Sequence, residues 1–150
     1  MTVDVTVVIP TCCRLDMLSC SVGAALGQQG VEVEVVVVDD ASEDDTASWA
    51  AAVGDPRLRL VRHASRQGVG AARNSGIAAA RGPWVAFLDD DDVWAPDKVN
   101  RQLAAAAESG CRWIYTGEVH VDEQLRLLGG GPPLGKNVVL VATRPEPAPA

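Results

Sequence analysis

Residues 33–40 read Val-Glu-Val-Val-Val-Val-Asp-Asp. A β-branched run of this length, ending on two acids, is the pattern of a strand buried on both faces of a parallel sheet. Similar runs lie around it. Val5 to Ile9 ends at Pro10, Leu58 to Val61 alternates with arginines as an edge or half-exposed strand does, and Trp84 to Leu88 again ends on acids. Between the runs fall helical signals. Leu15, Leu18, Val22, Ala25 and Leu26 share one helical face. Thr46 to Val53 follows a Ser42-x-x-Asp45 cap pattern, and Ala71 to Arg81 is alanine-rich. Pro96, at a first-turn position, opens a helix through Leu103 to Glu108 that Gly110 closes. Four βα alternations select an α/β fold with a mostly parallel sheet and right-handed crossovers. Beyond Gly110, Trp113 to Val121 and Leu125 to Leu128 read as a strand and its return. Gly129 to Pro133 reads as a loop, Val138 to Thr143 as a last strand, and residues 144–150 as a disordered Pro/Ala tail.

A chain of 150 residues, 47% hydrophobic and 22% charged, is expected to be one globular domain, here 1–143. Its longest uncharged apolar stretch, Leu18 to Val31, is too short to span a bilayer, and Met1 is followed by no basic leader. Cys12, Cys13, Cys20 and Cys111 lack CxxC spacing and read as free thiols, which together with the missing leader places the chain in the cytoplasm. A net charge of -7 and an aromatic content of 4% argue against nucleic acid as a partner. The bases are gathered: Arg57, Arg59, Arg62, Arg66, Arg73 and Arg81 fall close together, while acids concentrate at Asp39 to Asp45 and Asp89 to Asp92.

In open parallel sheets ligands sit beyond the carboxyl ends of the strands, so the residues just after each run are the functional candidates. These are Pro10-Thr11, Asp39-Asp40-Ala41-Ser42, His63 to Gly70, and Asp89 to Asp92. Four consecutive carboxylates repel one another, and a divalent cation is the simplest way to neutralise part of the run. An Asp-x-Asp within it offers the hard oxygens that Mg²⁺ or Mn²⁺ takes while keeping positions for water and phosphate. Gly68-Val69-Gly70-Ala71-Ala72-Arg73-Asn74 opens the third helix and could bring backbone amides and Arg73 to a phosphate. It is not a dinucleotide fingerprint, because it follows the third strand and has Arg73 at the third glycine position, and no Walker A sequence is present. Trp94 is expected to pack beneath the acidic loop, and His63 and His120 to be surface or strand-end residues.

Val7-Val8-Ile9-Pro10-Thr11, Val37-Val38-Asp39-Asp40-Ala41-Ser42, Gly68-x-Gly70-x-x-Arg73-Asn74 and Phe87-Leu88-Asp89-Asp90-Asp91-Asp92-x-Trp94-x-Pro96 together resemble the family 2 glycosyltransferases. The resemblance covers about residues 3 to 109 and rests on four motifs in register. It implies the GT-A fold, a Rossmann-like three-layer sandwich. It also implies a nucleotide-diphosphate sugar as donor, with Thr11 and Asp40 on the base or ribose and Asp39 nearby. Pro10, Arg14, Gly70, Asp89 and Asp90 complete the nucleotide-binding set, and Arg73 approaches the phosphates. Asp91 becomes the main ligand of Mn²⁺ or Mg²⁺, with Asp89 reaching ribose or metal water. The reaction implied is inverting transfer to the hydroxyl of a glycan, lipid or small-molecule acceptor, with membrane contact at most peripheral. The family's base is an aspartate on a later acidic segment, and none of Glu108, Glu118, Asp122, Glu123 or Glu146 sits in a matching motif. The chain therefore reads as the nucleotide-sugar-binding part of such an enzyme, with the base-bearing acceptor half missing.

Other classes compete. Val85-Ala86-Phe87-Leu88-Asp89-x-Asp91-x-Val93 also resembles the first motif of haloacid-dehalogenase-type phosphatases, but too little chain follows for their later motifs. A nucleotidyltransferase would carry a Gly-rich basic loop after the first strand, where this chain has Thr11-Cys12-Cys13-Arg14. A non-catalytic nucleotide-sugar-binding or interaction domain is the serious rival.

Overall fold

The computed structural model describes residues 2–121, 127–131 and 142–143. The elements run β1 (Val5–Thr11), α1 (Leu15–Leu26), β2 (Val33–Asp39), α2 (Thr46–Ala52), β3 (Leu58–Arg62), α3 (Val69–Ala79), β4 (Trp84–Phe87) and α4 (Lys98–Ser109). After them come β5 (Glu118–Val121), β6 (Leu127–Gly131) and β7 (Ala142–Thr143). The main sheet has the order β3-β2-β1-β4-β7, with the first four strands parallel and β7 antiparallel to β4. Every residue of β1 and β2 is buried, because these central strands are covered on both faces. β3, at the edge, is only half-buried, as its alternating arginines predict.

Alternate residues of the strands feed two cores. Val5, Val7, Ile9, Val33, Val35 and Val37 pack with Leu18, Val22 and Ala25 of α1, with Val99 of α4 and with Trp94. Val8, Val36, Val38 and Val85 pack on the other side against Ala72 of α3. The result is a three-layer α/β sandwich. Full burial of a valine or isoleucine side chain is worth roughly 1.5–3 kcal/mol, so β1 and β2 are a large source of the hydrophobic stabilisation. α3 lies very close to the sheet: a Cβ at Gly76 would collide with the side chain of Val8.

Several local expectations give way to tertiary contacts. The Ser42-x-x-Asp45 box does not form, because the Ser42 hydroxyl accepts from the N–H of Cys13 and the first turn of α2 is held by Asp44, which accepts from Thr46 N and Oγ1. Pro96 precedes α4 rather than opening it. The chain turns once more, with Lys98 N bonding Ala95 O, before the helix starts at Lys98. Gly110 closes α4 in the left-handed conformation, as expected. β5 begins only at Glu118; before it, Trp113 and Tyr115 stack on each other at 5.7 Å. Gly129–Gly131, read as loop, pairs with β5 as part of β6. The expected tail at 144–150 and most of the expected strand at 138–143 lie outside the described residues.

The Val33–Val38 run contains one charge, and the fold buries it. Glu34 is 2% exposed and accepts hydrogen bonds from Thr6 Oγ1 (2.7 Å), Arg81 N (2.7 Å) and Arg59 Nη1 (3.1 Å). Burial works against its charge, but these three donors outweigh it and hold the carboxyl below the usual range.

Candidate functional site

Strand order reverses at β1, whose two neighbours are β2 and β4, and the carboxyl ends of these strands form one edge of the molecule. β1 ends on Thr11 and β4 runs into Leu88 and the four aspartates. Thr11 Oγ1 donates to Asp90 Oδ2 at 2.7 Å, and Arg14 Nη1 lies 3.2 Å from both Asp90 Oδ1 and Asp91 Oδ2. Arg73, on α3, donates from Nη2 to Asp89 Oδ1 at 2.7 Å, with its guanidinium 5.9 Å from the centre of the Phe87 ring. The Ser21 hydroxyl lies 2.9 Å from Asp90 O and 2.8 Å from Asp92 O, which ties the acidic loop to α1. The carboxylates therefore part company: Asp90 turns inward and is buried, while the side chains of Asp89 and Asp91 are 37% and 50% exposed. Two guanidiniums already supply part of the neutralisation that the sequence assigned to a cation.

A second cluster sits at the ends of β2 and β3. Asp39 Oδ1 accepts from Ser42 N at 2.8 Å, and its Oδ2, wholly buried, faces Arg62 Nε at 3.3 Å without a well-aligned hydrogen bond. Asp40 Oδ1 accepts from His63 Nδ1 at 2.7 Å and Gln67 N at 2.9 Å, and its Oδ2 accepts from Gly68 N at 2.7 Å. Burial opposes this charge too, but the bonds from His63 and the two backbone amides outweigh it and hold Asp40 below the ordinary carboxylate range. An ionised carboxylate only accepts, so we assign the proton to His63 Nδ1, leaving Nε2 to accept from the Ser75 hydroxyl at 2.8 Å. Gly68 makes the turn possible with φ +89°. A cavity of about 450 Å³ opens beside this cluster, lined by Ala41, Ser42, Glu43, Arg62, His63 and Ala64.

Direct contacts thus join Thr11, Arg14, Asp90 and Asp91 into one set and Arg73 with Asp89 into another beside it. Pro10 is the penultimate residue of β1, past its last rung with β4 at Val8, so its missing N–H removes no bond of that ladder. Gly70 is exposed in the first turn of α3, where a Cβ would meet nothing within 4 Å. Asp39 and Asp40 face the β3–α3 side rather than the acidic loop, and Asp40 clasps the loop 63–68. His63 directly follows β3, as a strand-end residue, but does not lie on the surface: it is 9% exposed, because Asp40 and Ser75 take both ring nitrogens. Its place just after β3 puts it among the candidates, whereas nothing in the local sequence marks Ser21. Trp94 packs into the core, and Lys98 stands 3.9 Å over its ring while donating to Gln102 Oε1. Burial pushes the Lys98 ammonium down to about 7, against the pull of Asp92 and of the ring face.

Asp89 and Asp91 suit a divalent cation of the Mg²⁺ type in chemistry and exposure, since such ions take one or two carboxylates and complete their shell with water and phosphate oxygens. Among the described residues no three His, Cys, Asp or Glu side chains converge into a closed metal cage. The Arg14 guanidinium, set between Asp90 and Asp91, occupies the place of a cation there. Among the described residues no helix is long and apolar enough to cross a membrane.

Comparison with known proteins agrees with this geometry. The family model described as glycosyl transferase family 2 matches residues 6–126. Succinoglycan biosynthesis protein ExoO of Rhizobium meliloti is 46% identical over 109 residues, covering 73% of this chain and 31% of its own length. The Escherichia coli UDP-Glc:alpha-D-GlcNAc-diphosphoundecaprenol beta-1,3-glucosyltransferase WfgD is 29% identical over 74% of this chain and 44% of its own. This chain thus spans between about a third and a half of the length of these relatives. Among solved structures, the Pyrobaculum calidifontis mannosyltransferase PcManGT, in complex with GDP-Man and Mn²⁺, superposes with a TM-score of 0.70 at 28% identity, over 77% of this chain and 36% of that one. With the parallel sheet, the acids at its carboxyl edge and the family match over most of its length, the chain belongs to glycosyl transferase family 2.

Proposed function

We propose that residues 1–143 form a GT-A domain that binds a nucleotide-diphosphate sugar at the β1–β4 edge and serves inverting transfer of the sugar to an acceptor hydroxyl. The observation that carries this reading is the contact set Thr11–Asp90–Arg14–Asp91, flanked by Arg73–Asp89, at the switch point of the sheet. In this reading Thr11 serves the nucleoside together with Asp40, and Asp39 nearby, from the adjoining end of β2, while Arg73 serves the phosphates and Asp91 with Asp89 a Mn²⁺ or Mg²⁺ ion. When bound, that ion supplies positive charge to the departing nucleoside diphosphate. The chain's own part is to place carboxylates, guanidiniums and the open amino end of α3 along one exposed edge. WfgD is named for UDP-Glc and PcManGT is complexed with GDP-Man, so uracil and guanine are the bases to try first. The acceptor is a glycan, a lipid-linked sugar or a small molecule, and the proton-accepting base is unassigned among the described residues.

Calorimetric titration with UDP, GDP and dTDP, each with and without Mn²⁺, on the parent and on Asp91→Asn, tests the reading. Metal-dependent binding of one nucleotide, lost in the variant, is expected and would name the base. A folded chain that binds none of the three refutes it in favour of an interaction domain.

A further inference from the structure

We propose that Arg14 is an exchangeable counter-ion of the acidic loop: it holds Asp90 and Asp91 while the site is empty, and releases Asp91 when a divalent cation takes that carboxylate. The inference rests on the reading of Asp91 as a cation ligand. Three features of Arg14 point to it. Its Nη1 is shared, at 3.2 Å, between one buried carboxylate and one exposed carboxylate, so it can leave the second while keeping the first. Asp90 has other support, since Thr11 donates to it and Ser21 anchors its backbone, whereas the Asp91 side chain is half exposed.

The second feature is position. Arg14 occupies the N-cap of α1 and makes no side-chain cap, a place where Ser, Thr, Asp or Asn is preferred and where the positive end of the helix dipole opposes a cation. The helix start is served instead by Asp44, whose Oδ2 lies 3.4 Å from Leu15 N. A residue that breaks a local rule in this way answers to something beyond helix stability, and among the described residues the carboxylates it pairs with are those of the acidic loop. The third feature is the contrast with Arg73. That guanidinium, carried by α3, is braced against the Phe87 ring, while the Arg14 side chain is 53% exposed. An exposed pair such as Arg14–Asp91 biases an equilibrium only a few-fold, so its exchange for a divalent ion is easy.

The test is titration of Mn²⁺ alone, followed by the loss of the free-ion paramagnetic resonance signal, into the parent, Arg14→Gln, Arg14→Lys and the double variant Arg14→Gln/Asp91→Asn. Arg14→Gln is expected to bind Mn²⁺ roughly two- to tenfold more tightly than the parent. Arg14→Lys falls between them, because a point charge cannot bridge two carboxylates as a planar fork does. The gain disappears in the double variant. Unchanged or weaker Mn²⁺ binding in Arg14→Gln, with circular dichroism showing the parent fold, overturns the proposal, as does failure of every variant to bind the ion. UDP and GDP titrations in parallel keep the two readings apart. Loss of both nucleotides with the Mn²⁺ gain intact sinks the donor site and leaves the exchange standing.

Discussion

Glu34 stands near the start of β2 and Asp39 and Asp40 at its end, and all three carboxylates are buried. Asp90 is a fourth, just beyond β4. At the amino edge Glu34 is enclosed by a threonine hydroxyl, a backbone amide and the Arg59 guanidinium, which itself also bonds Ala79 O. At the carboxyl edge the same chemistry is left partly open: Asp90 meets a half-exposed arginine, and Arg73 keeps a buried Nε without a hydrogen-bond partner. The same groups hold the fold where every donor is matched within the chain, and are available to a ligand where they stay accessible at a sheet edge.

Variants can break this contrast. The largest effect is expected for Glu34→Ala, which leaves the Thr6 hydroxyl without its acceptor and takes one of two partners from Arg81 N and from the Arg59 guanidinium; unfolding in urea should show a loss of roughly 3 kcal/mol. A loss under about 1 kcal/mol would mean that the amino edge is not a closed structural network. Asp40→Asn comes next, at roughly 2 kcal/mol, because hydrogen bonds to a charged group are the ones weakened. Its pH dependence has a definite sign. The folded pKa of Asp40 lies below the unfolded one, so its contribution is present above the unfolded value near 3.8 and disappears as pH falls through the folded one. Glu34 behaves alike from an ordinary value of 4.5. Acid unfolding of Asp40→Asn should therefore be shallower than the parent's below about pH 4, without becoming flat.

At the open edge Asp90→Asn should cost about 1 kcal/mol of stability, as Asn still accepts from Thr11, yet weaken nucleotide binding by more than tenfold. Calorimetry beside urea unfolding separates the two; a large stability loss with unchanged binding would make this edge structural as well. A last variant, read by its pH signature, is Lys98→Met. The folded ammonium titrates about 7 and the unfolded one at 10.5, so the folded state is penalised below 7 and gains stability as pH rises across that window. The variant should lose this rising limb in thermal midpoints measured from pH 7 to 10.

Residues such as Val35–Val38 announced their strand because a β-branched run has little choice, and Gly110 announced the end of α4 because a left-handed cap favours glycine. The acidic run likewise stood out by its place after an apolar strand. The cap at Ser42 and the start of α4 at Pro96 were misread, for in both cases a distant partner decided: Cys13 N claimed the hydroxyl, and Gln28, bonding Val99 N and Ala95 O, set where α4 begins. The burial of His63 and of Glu34 was not legible for the same reason, since their partners lie 12 to 47 residues away along the chain.

By itself the sequence determined the alternation of strands and helices, the parallel sheet and the strand ends at which chemistry would gather, because these follow from side-chain periodicity and backbone preference over short stretches. Only the tertiary structure decided which carboxylate is closed and which is open. That depends on which hydroxyls, amides and guanidiniums the packing brings within 3 Å or so, and on whether the last layer above them is protein or water.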